Sequence, residues 1–132
     1  MYFPYLRGKQ FELIALRELC GLFPEKISKI SPIIEPVKLS STLKSTLKEL
    51  ADKNVNFNII INPRVGDLVG KFEDIFEILR TELEGYNNFQ IAIIVDQTTS
   101  ENLEIMFEKI DLIDFPHDGF TFIHNYELNT LN

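Results

Sequence analysis

Three charged residues beside apolar segments are the best candidates for chemistry in this sequence: Lys9, Glu35 and Asp96. Glu35 ends the apolar run Ile33-Ile34 and is followed at once by Pro36, which restricts its backbone. A carboxylate at the end of a buried segment can act as a general acid or base, and a nearby lysine can stabilise developing negative charge. We therefore predict Glu35, Lys9 and Asp96 as candidate catalytic residues.

Further polar residues at or just beyond the ends of apolar segments form a candidate ligand-binding set: Arg7, Glu12, Asn62, Arg64 and His124. Arginine and lysine bind phosphate and carboxylate groups through charge-assisted hydrogen bonds. Arg7, Lys9 and Arg64 therefore predict an anion site.

A divalent metal is a further hypothesis, because Glu35, Asp96 and His124 offer oxygen and nitrogen ligands. The two histidines, His117 and His124, do not stand at the spacing of a metal-binding pair. Asp96 is equally typical of a turn that caps the following helix. The sequence therefore assigns no metal, and the cofactor stays unknown.

Structural interpretations compete with these hypotheses. Glu35 can form an ion pair with Lys9 or Lys38, and Arg64 can pair with Asp67 inside its own loop. Such pairs stabilise loops without binding a ligand. The sequence alone leaves both interpretations open.

Five short apolar segments predict the strands that position these residues: Tyr2 to Leu6, Lys29 to Val37, Phe57 to Ile61, Gln90 to Val95 and Phe120 to Ile123. Four segments between them have apolar residues at helical spacing: Gln10 to Leu22, the Ser40-Ser41-Thr42 cap region to Asp52, Lys71 to Leu83, and Thr98 to Asp111. In the first of these, the residues at helical spacing are Phe11, Ile14, Ala15, Leu19 and Leu22.

Strict alternation of strands and helices predicts a single α/β domain over residues 1–132 with a parallel sheet. We favour half of a (β/α)8 barrel, because successive strands end in similar polar residues, as barrel strands do at their functional face. The alternative is an open flavodoxin-like sheet, which this length would complete. No Gly-rich phosphate loop follows the first strand, so neither common nucleotide fingerprint is present.

Composition narrows the classes of partner. The net charge of −7 disfavours non-specific binding to nucleic acids, because the charge has the wrong sign. One cysteine, Cys20, cannot form a disulfide within the chain. No apolar stretch reaches the roughly 18 residues of a membrane span, and no signal peptide is recognised. We expect a cytoplasmic protein without a membrane contact.

The chain resembles an uncharacterised bacterial family that is itself similar to the phage beta-protein family. The resemblance rests on Tyr2-Phe3-Pro4-Tyr5-Leu6-Arg7-Gly8-Lys9-Gln10-Phe11-Glu12 with Ala15-Leu16, on Ser31-Pro32-Ile33-Ile34-Glu35-Pro36, and on Asn62-Pro63 with Gly66-Asp67. It implies a barrel-like fold of unknown function, with some members beside nucleases in mobile-element or defence-linked gene neighbourhoods. Family members are longer, which implies that this chain is an N-terminal fragment or a truncated form.

Two functional hypotheses follow. The first is a binding or assembly module of a bacterial mobile-element or defence-linked protein, which associates with itself or with a missing C-terminal half, and with a nuclease protein. A half-barrel leaves sheet edges and apolar surface exposed, and such surfaces associate. The alternative is a barrel-like, metal-assisted hydrolase with its site at the carboxyl ends of the strands.

Overall fold

A computed structural model of the chain describes residues 2–96, 99–113 and 117–124. Strands and helices alternate along these residues, which confirms the predicted α/β class. The elements are β1 (Tyr5–Arg7), α1 (Gln10–Leu22), α2 (Pro24–Ile27), β2 (Ile33–Glu35), α3 (Ser41–Asp52), β3 (Phe57–Ile60), α4 (Phe72–Glu82), β4 (Phe89–Ile94), α5 (Thr99–Ile113) and β5 (Phe120–Ile123).

The strands form one parallel sheet in the order β1-β2-β3-β4-β5, which is also their order along the chain. A connection between parallel strands is right-handed in nearly all proteins. When every step moves to the next strand in the same direction, right-handed connections place all the helices on one face. The sequence predicted the parallel sheet, whereas the strand order comes from the structure.

Alternation within the strands divides the sheet into two apolar faces. Phe57, Ile59 and Ile61 belong to the main core, which also holds buried residues of all the described helices. Ile60 of β3 and its neighbour Ala92 of β4 lie on the opposite face. Among the described residues, this second cluster consists of strand residues alone. We call the face that carries this cluster the helix-free face.

The first helix has the predicted bounds, but its buried face differs from the predicted spacing set. Leu13, Leu16 and Cys20 are buried, whereas Phe11 and Leu22 are 84% and 71% exposed. Apolar residues occur on most sides of α1, so more than one set of positions satisfies helical spacing. Spacing alone therefore could not identify which side faces the sheet.

The second strand is shorter than its apolar segment. β2 covers only Ile33–Glu35, and Ile30 forms an isolated bridge with Tyr2. Proline lacks an N–H donor, so Pro32 and Pro36 bound the regular ladder. The helix α2 was not predicted, because four residues are too few to show helical spacing.

The third helix begins as predicted. The Ser40 hydroxyl accepts a hydrogen bond from the Leu43 N–H at 3.1 Å, which caps the helix. Leu43, Leu47 and Leu50 are buried in the main core. Thr98, where the fourth predicted helix starts, lies outside the described residues, and α5 extends to Ile113.

A buried polar contact crosses the helix-free face. Asn58 of β3 is 1% exposed, and its Oδ1 accepts a hydrogen bond from the Thr121 hydroxyl of β5 at 2.6 Å. Its Nδ2 donates to Ser31 Oγ at 3.0 Å. Neighbouring strands lie about 4.8 Å apart, so Asn58 and Thr121 meet over the intervening strand β4. Their side chains therefore converge across β4.

We expect Thr121→Val to lower the free energy of unfolding by about 1–3 kcal/mol, because it leaves the buried Asn58 Oδ1 without its hydroxyl donor. Thr121→Ser keeps the hydroxyl and serves as the control. Urea denaturation followed by circular dichroism measures both. Equal stability of the two variants would contradict a structural role for this contact.

Candidate functional site

The first candidate residue, Glu35, ends β2 and is completely buried. It lies in register with Arg7 of β1, and it shares the helix-free face with Ile33, two residues earlier. An unpaired carboxylate is costly to bury, so its partners decide what it does.

The Glu35 carboxylate is held by hydrogen bonds on both oxygens. Oε1 accepts from the Tyr5 hydroxyl at 2.7 Å, and Oε2 accepts from the backbone N–H of Arg64 at 2.7 Å. The Arg7 Nε lies 3.9 Å from Oε1. Glu35 thus pairs with these groups in place of the predicted Lys9 or Lys38, and it connects β1 and β2 with the loop after β3.

The side chain of Arg64 pairs with Asp96 after β4. Its Nε donates to Asp96 Oδ2 at 2.7 Å, and the two side chains are 25% and 6% exposed. The ion pair that the described residues show for Arg64 is thus with Asp96, rather than the alternative considered with Asp67. Asp96, predicted as a catalytic residue or a helix cap, thus joins the end of β4 to the β3 loop, and the start of the helix that it would cap includes positions outside the described residues.

The predicted ligand residue Asn62 extends the sheet beyond β3. Its Oδ1 accepts from the Ile94 N–H at 2.9 Å, and its Nδ2 donates to the Ile94 carbonyl at 3.0 Å. Both ends of the amide are thus occupied by the backbone of β4, and Asn62 continues the ladder between the two strands.

Two other predicted ligand residues lie away from these contacts. His124 directly follows β5 and is exposed. Glu12 lies in the first turn of α1, and its Oε2 is a buried oxygen without a hydrogen-bond partner among the described residues. Neither residue lines the cavity that opens at the carboxyl ends of β1 and β2.

A cavity of about 300 Å³ opens at the carboxyl ends of β1 and β2. It is bordered by the segments that follow the first three strands, and its lining residues are Arg7, Lys9, Val37, Lys38, Val65, Gly66 and Asp67. Arg7 and Lys9 were predicted to bind an anion, and the structure brings them together with Lys38. Val37, Val65 and Gly66 also line the cavity, but the sequence did not predict them as site residues. The turn at Gly66-Asp67 was the available clue to this part of the lining.

Backbone contacts hold the three cavity segments against one another. The Gly8 N–H donates to the Glu35 carbonyl at 2.7 Å, and the Asp67 N–H donates to the Val37 carbonyl at 2.6 Å. Gly66 has a φ of +88°, and a Cβ at this position would lie 2.5 Å from the Val37 oxygen. The loop after β3 therefore requires glycine where it meets the segment after β2.

Among the described residues, no arrangement of side chains matches the hypothesis of a metal site. Across residues 2–96, 99–113 and 117–124, no group of three or more His, Cys, Asp or Glu side chains is arranged to hold a metal ion. Glu35, Asp96 and His124 are thus not gathered into one set.

The single thiol is part of the core. Cys20 on α1 is 2% exposed, and burial raises the pKa of its thiol, with Glu49 adding to the rise and Lys53 opposing it. A thiol with a raised pKa is mostly protonated at neutral pH and is a poor nucleophile.

The fold and the site define a parallel α/β protein with a cationic cavity at the carboxyl edge of its sheet. Comparison with family models, with curated proteins and with solved structures finds no match for the chain. None of the helices within the described ranges has the length and apolar character of a membrane span.

We expect Glu35→Ala to destabilise the fold by about 3–5 kcal/mol, because it removes the buried acceptor shared by Tyr5 and Arg64. Glu35→Gln retains one acceptor oxygen and should cost about 1–2 kcal/mol. Urea denaturation gives both values.

The matched controls are Glu84→Ala and Glu84→Gln, which change an exposed glutamate and should alter stability by about 0.5 kcal/mol or less. A Glu35→Ala variant as stable as Glu84→Ala would refute the structural role assigned to Glu35.

Proposed function

We propose that this chain is a binding and assembly module built as an arc of a (β/α) barrel, and that its sheet is completed by a second copy. The observation that carries the proposal is the strand order. The five strands are parallel and follow one another without a reversal. In a doubly wound flavodoxin-like sheet, the order reverses at a switch point and helices cover both faces.

The two apolar faces support an arc. The core that contains the helices lies on one face, and the helix-free face carries Ile60, Ala92 and Ile94. Barrels have this arrangement, with helices outside and packed side chains inside. Side chains of alternate strands share an interior layer in such barrels, and the Asn58 to Thr121 contact joins alternate strands in the same way.

The edges of the sheet support association. Tyr2 and Phe3, beside β1, are 67% and 52% exposed, and Phe120 and Phe122 of β5 are 39% and 45% exposed. Edge strands also present unpaired backbone groups, and exposed apolar edges are sites of association.

A second copy of the chain can pair with both edge strands, β1 and β5. When β5 of one copy lies parallel to β1 of the other, the sheet continues with the same strand direction. Two such contacts related by a two-fold axis close the assembly, and no edge remains. An assembly of this kind is a homodimer. The exposed edges therefore favour a second copy of the chain as the partner.

The contacts of Glu35 and Asp96 favour a binding role over catalysis by the single chain. Both oxygens of Glu35 accept hydrogen bonds, and Asp96 pairs with Arg64. A metal-assisted hydrolase built on Lys9, Glu12, Glu35 and Asp96 has no comparable support.

The cellular setting rests on sequence. The resemblance to the uncharacterised bacterial family supports a role in a mobile-element or defence-linked protein, with a nuclease as an associated protein. One cysteine and a net charge of −7 are compatible with the cytoplasm and disfavour direct non-specific binding to nucleic acid.

We expect sedimentation velocity to show a dimer at micromolar concentration, and Phe122→Lys to shift it toward monomer, because the lysine places a charge at the β5 edge. Phe11→Lys is the control, since Phe11 is equally apolar and exposed but lies on α1 and belongs to neither edge strand.

The wild-type chain should form dimers at micromolar concentration. If it stays monomeric at a concentration 100 times higher, the assembly proposal is overturned. So would equal loss of the dimer in the Phe122 and Phe11 variants, since edge pairing predicts that only the first disrupts it.

A further inference from the structure

We infer that the cavity at the carboxyl ends of β1 and β2 binds the phosphate group of a small phosphorylated molecule. This inference concerns a ligand and does not depend on the oligomeric state. It rests on the charges that line the cavity, on how those charges are held, and on the size and rigidity of the walls.

The lining is cationic in an acidic protein. Arg7, Lys9 and Lys38 contribute three positive charges, and Asp67 contributes one negative charge. The whole chain has a net charge of −7, so this concentration of cations runs against its average composition. Lysine and arginine side chains converging on a concave surface favour an anion, and a doubly charged phosphate gains more from them than a carboxylate does.

The cations remain available to a ligand. Lys9 and Lys38 are exposed, and neither forms an ion pair within the part of the chain that the structure describes. Arg7 is 42% exposed, and its Nε stands 3.9 Å from Glu35, beyond hydrogen-bond distance. The Glu35 carboxylate takes its hydrogen bonds from Tyr5 and from the Arg64 backbone. Lys9 and Lys38 thus have no charged partner among the described residues, whereas Arg7 lies within ion-pair distance of Glu35 but outside hydrogen-bond distance.

The walls are fixed before a ligand arrives. The Gly8 and Asp67 amides bind the carbonyls of Glu35 and Val37, and Gly66 packs closely on Val37. Fixed walls reduce the entropy lost on binding. A volume of about 300 Å³ lies at the lower end of ligand pockets. It suits a phosphate with a small organic group, rather than a nucleic acid backbone or a membrane surface.

The test uses the whole chain and inorganic phosphate as the probe. Phosphate is titrated at constant ionic strength against chloride, and amide chemical shifts are followed by NMR. We expect saturable shifts at Gly8, Lys38 and Gly66. Absence of saturable shifts at these residues would overturn the inference, and so would an equal affinity for acetate.

Charge variants locate the site. Lys9→Gln combined with Lys38→Gln should weaken phosphate binding about tenfold or more. Lys29→Gln combined with Lys48→Gln removes the same charge from exposed positions outside the cavity and should leave the affinity within about twofold. Equal loss in both double variants would show a diffuse effect of net charge and would contradict a site.

A gain-of-binding variant gives an independent check. Asp67→Asn removes the one negative charge of the lining and keeps the backbone N–H that holds the loop. Phosphate should then bind several-fold more tightly, because the repulsion is lost. An unchanged or lower affinity in a folded Asp67→Asn chain would refute the placement of phosphate beside Asp67.

Discussion

The buried carboxylate of Glu35 is the interaction on which this edge of the sheet depends. It has no exposure to water, yet each oxygen accepts a hydrogen bond at 2.7 Å. One donor is the Tyr5 hydroxyl on β1, and the other is the backbone N–H of Arg64 after β3. Because a buried charge without such partners is costly, the carboxylate keeps these groups in place. One side chain thus connects β1, the end of β2 and the loop after β3.

The arrangement of the candidate site follows from that connection. With its backbone held by Glu35, Arg64 directs its side chain to Asp96, so the connection continues to the end of β4. The loop then continues to Gly66 and Asp67, which dock on Val37. In this arrangement the carboxylates of Glu35 and Asp96 have partners inside the protein, and Lys9 and Lys38 lie around a cavity at the surface. The separation of buried acids from exposed cations explains how an acidic chain can present a site for an anion.

The sequence predicted the class of fold because its signals are local. Apolar runs bounded by prolines and glycines located the strands, and the Ser40 cap and its leucines located α3. The buried side of α1 could not be predicted, because several of its sides are apolar. The strand order could not be predicted either, since it depends on how separate units dock. It was the structure that supplied the uninterrupted order from β1 to β5.

The site was predicted in part for the same reason. Glu35 was identifiable as a carboxylate that ends an apolar run, and Arg7 and Lys9 as cations after the first strand. Its partners were not identifiable. Tyr5 is 30 residues away in the chain, and the Arg64 donor is a backbone group that exists at every non-proline residue. Asn62 looked like a ligand residue because an amide binds ligands and sheet backbones with the same atoms.

The most direct test of this account is hydrogen exchange at the Arg64 amide in the wild-type protein. Arg64 lies in a loop, and an amide without an acceptor would exchange at close to the unprotected rate. The account predicts protection comparable to that of the Ile61 amide, which donates to the Ala92 carbonyl at the end of the sheet ladder. Exchange of the Arg64 amide at the unprotected rate, while Ile61 stays protected, would contradict the claim that Glu35 holds the site together.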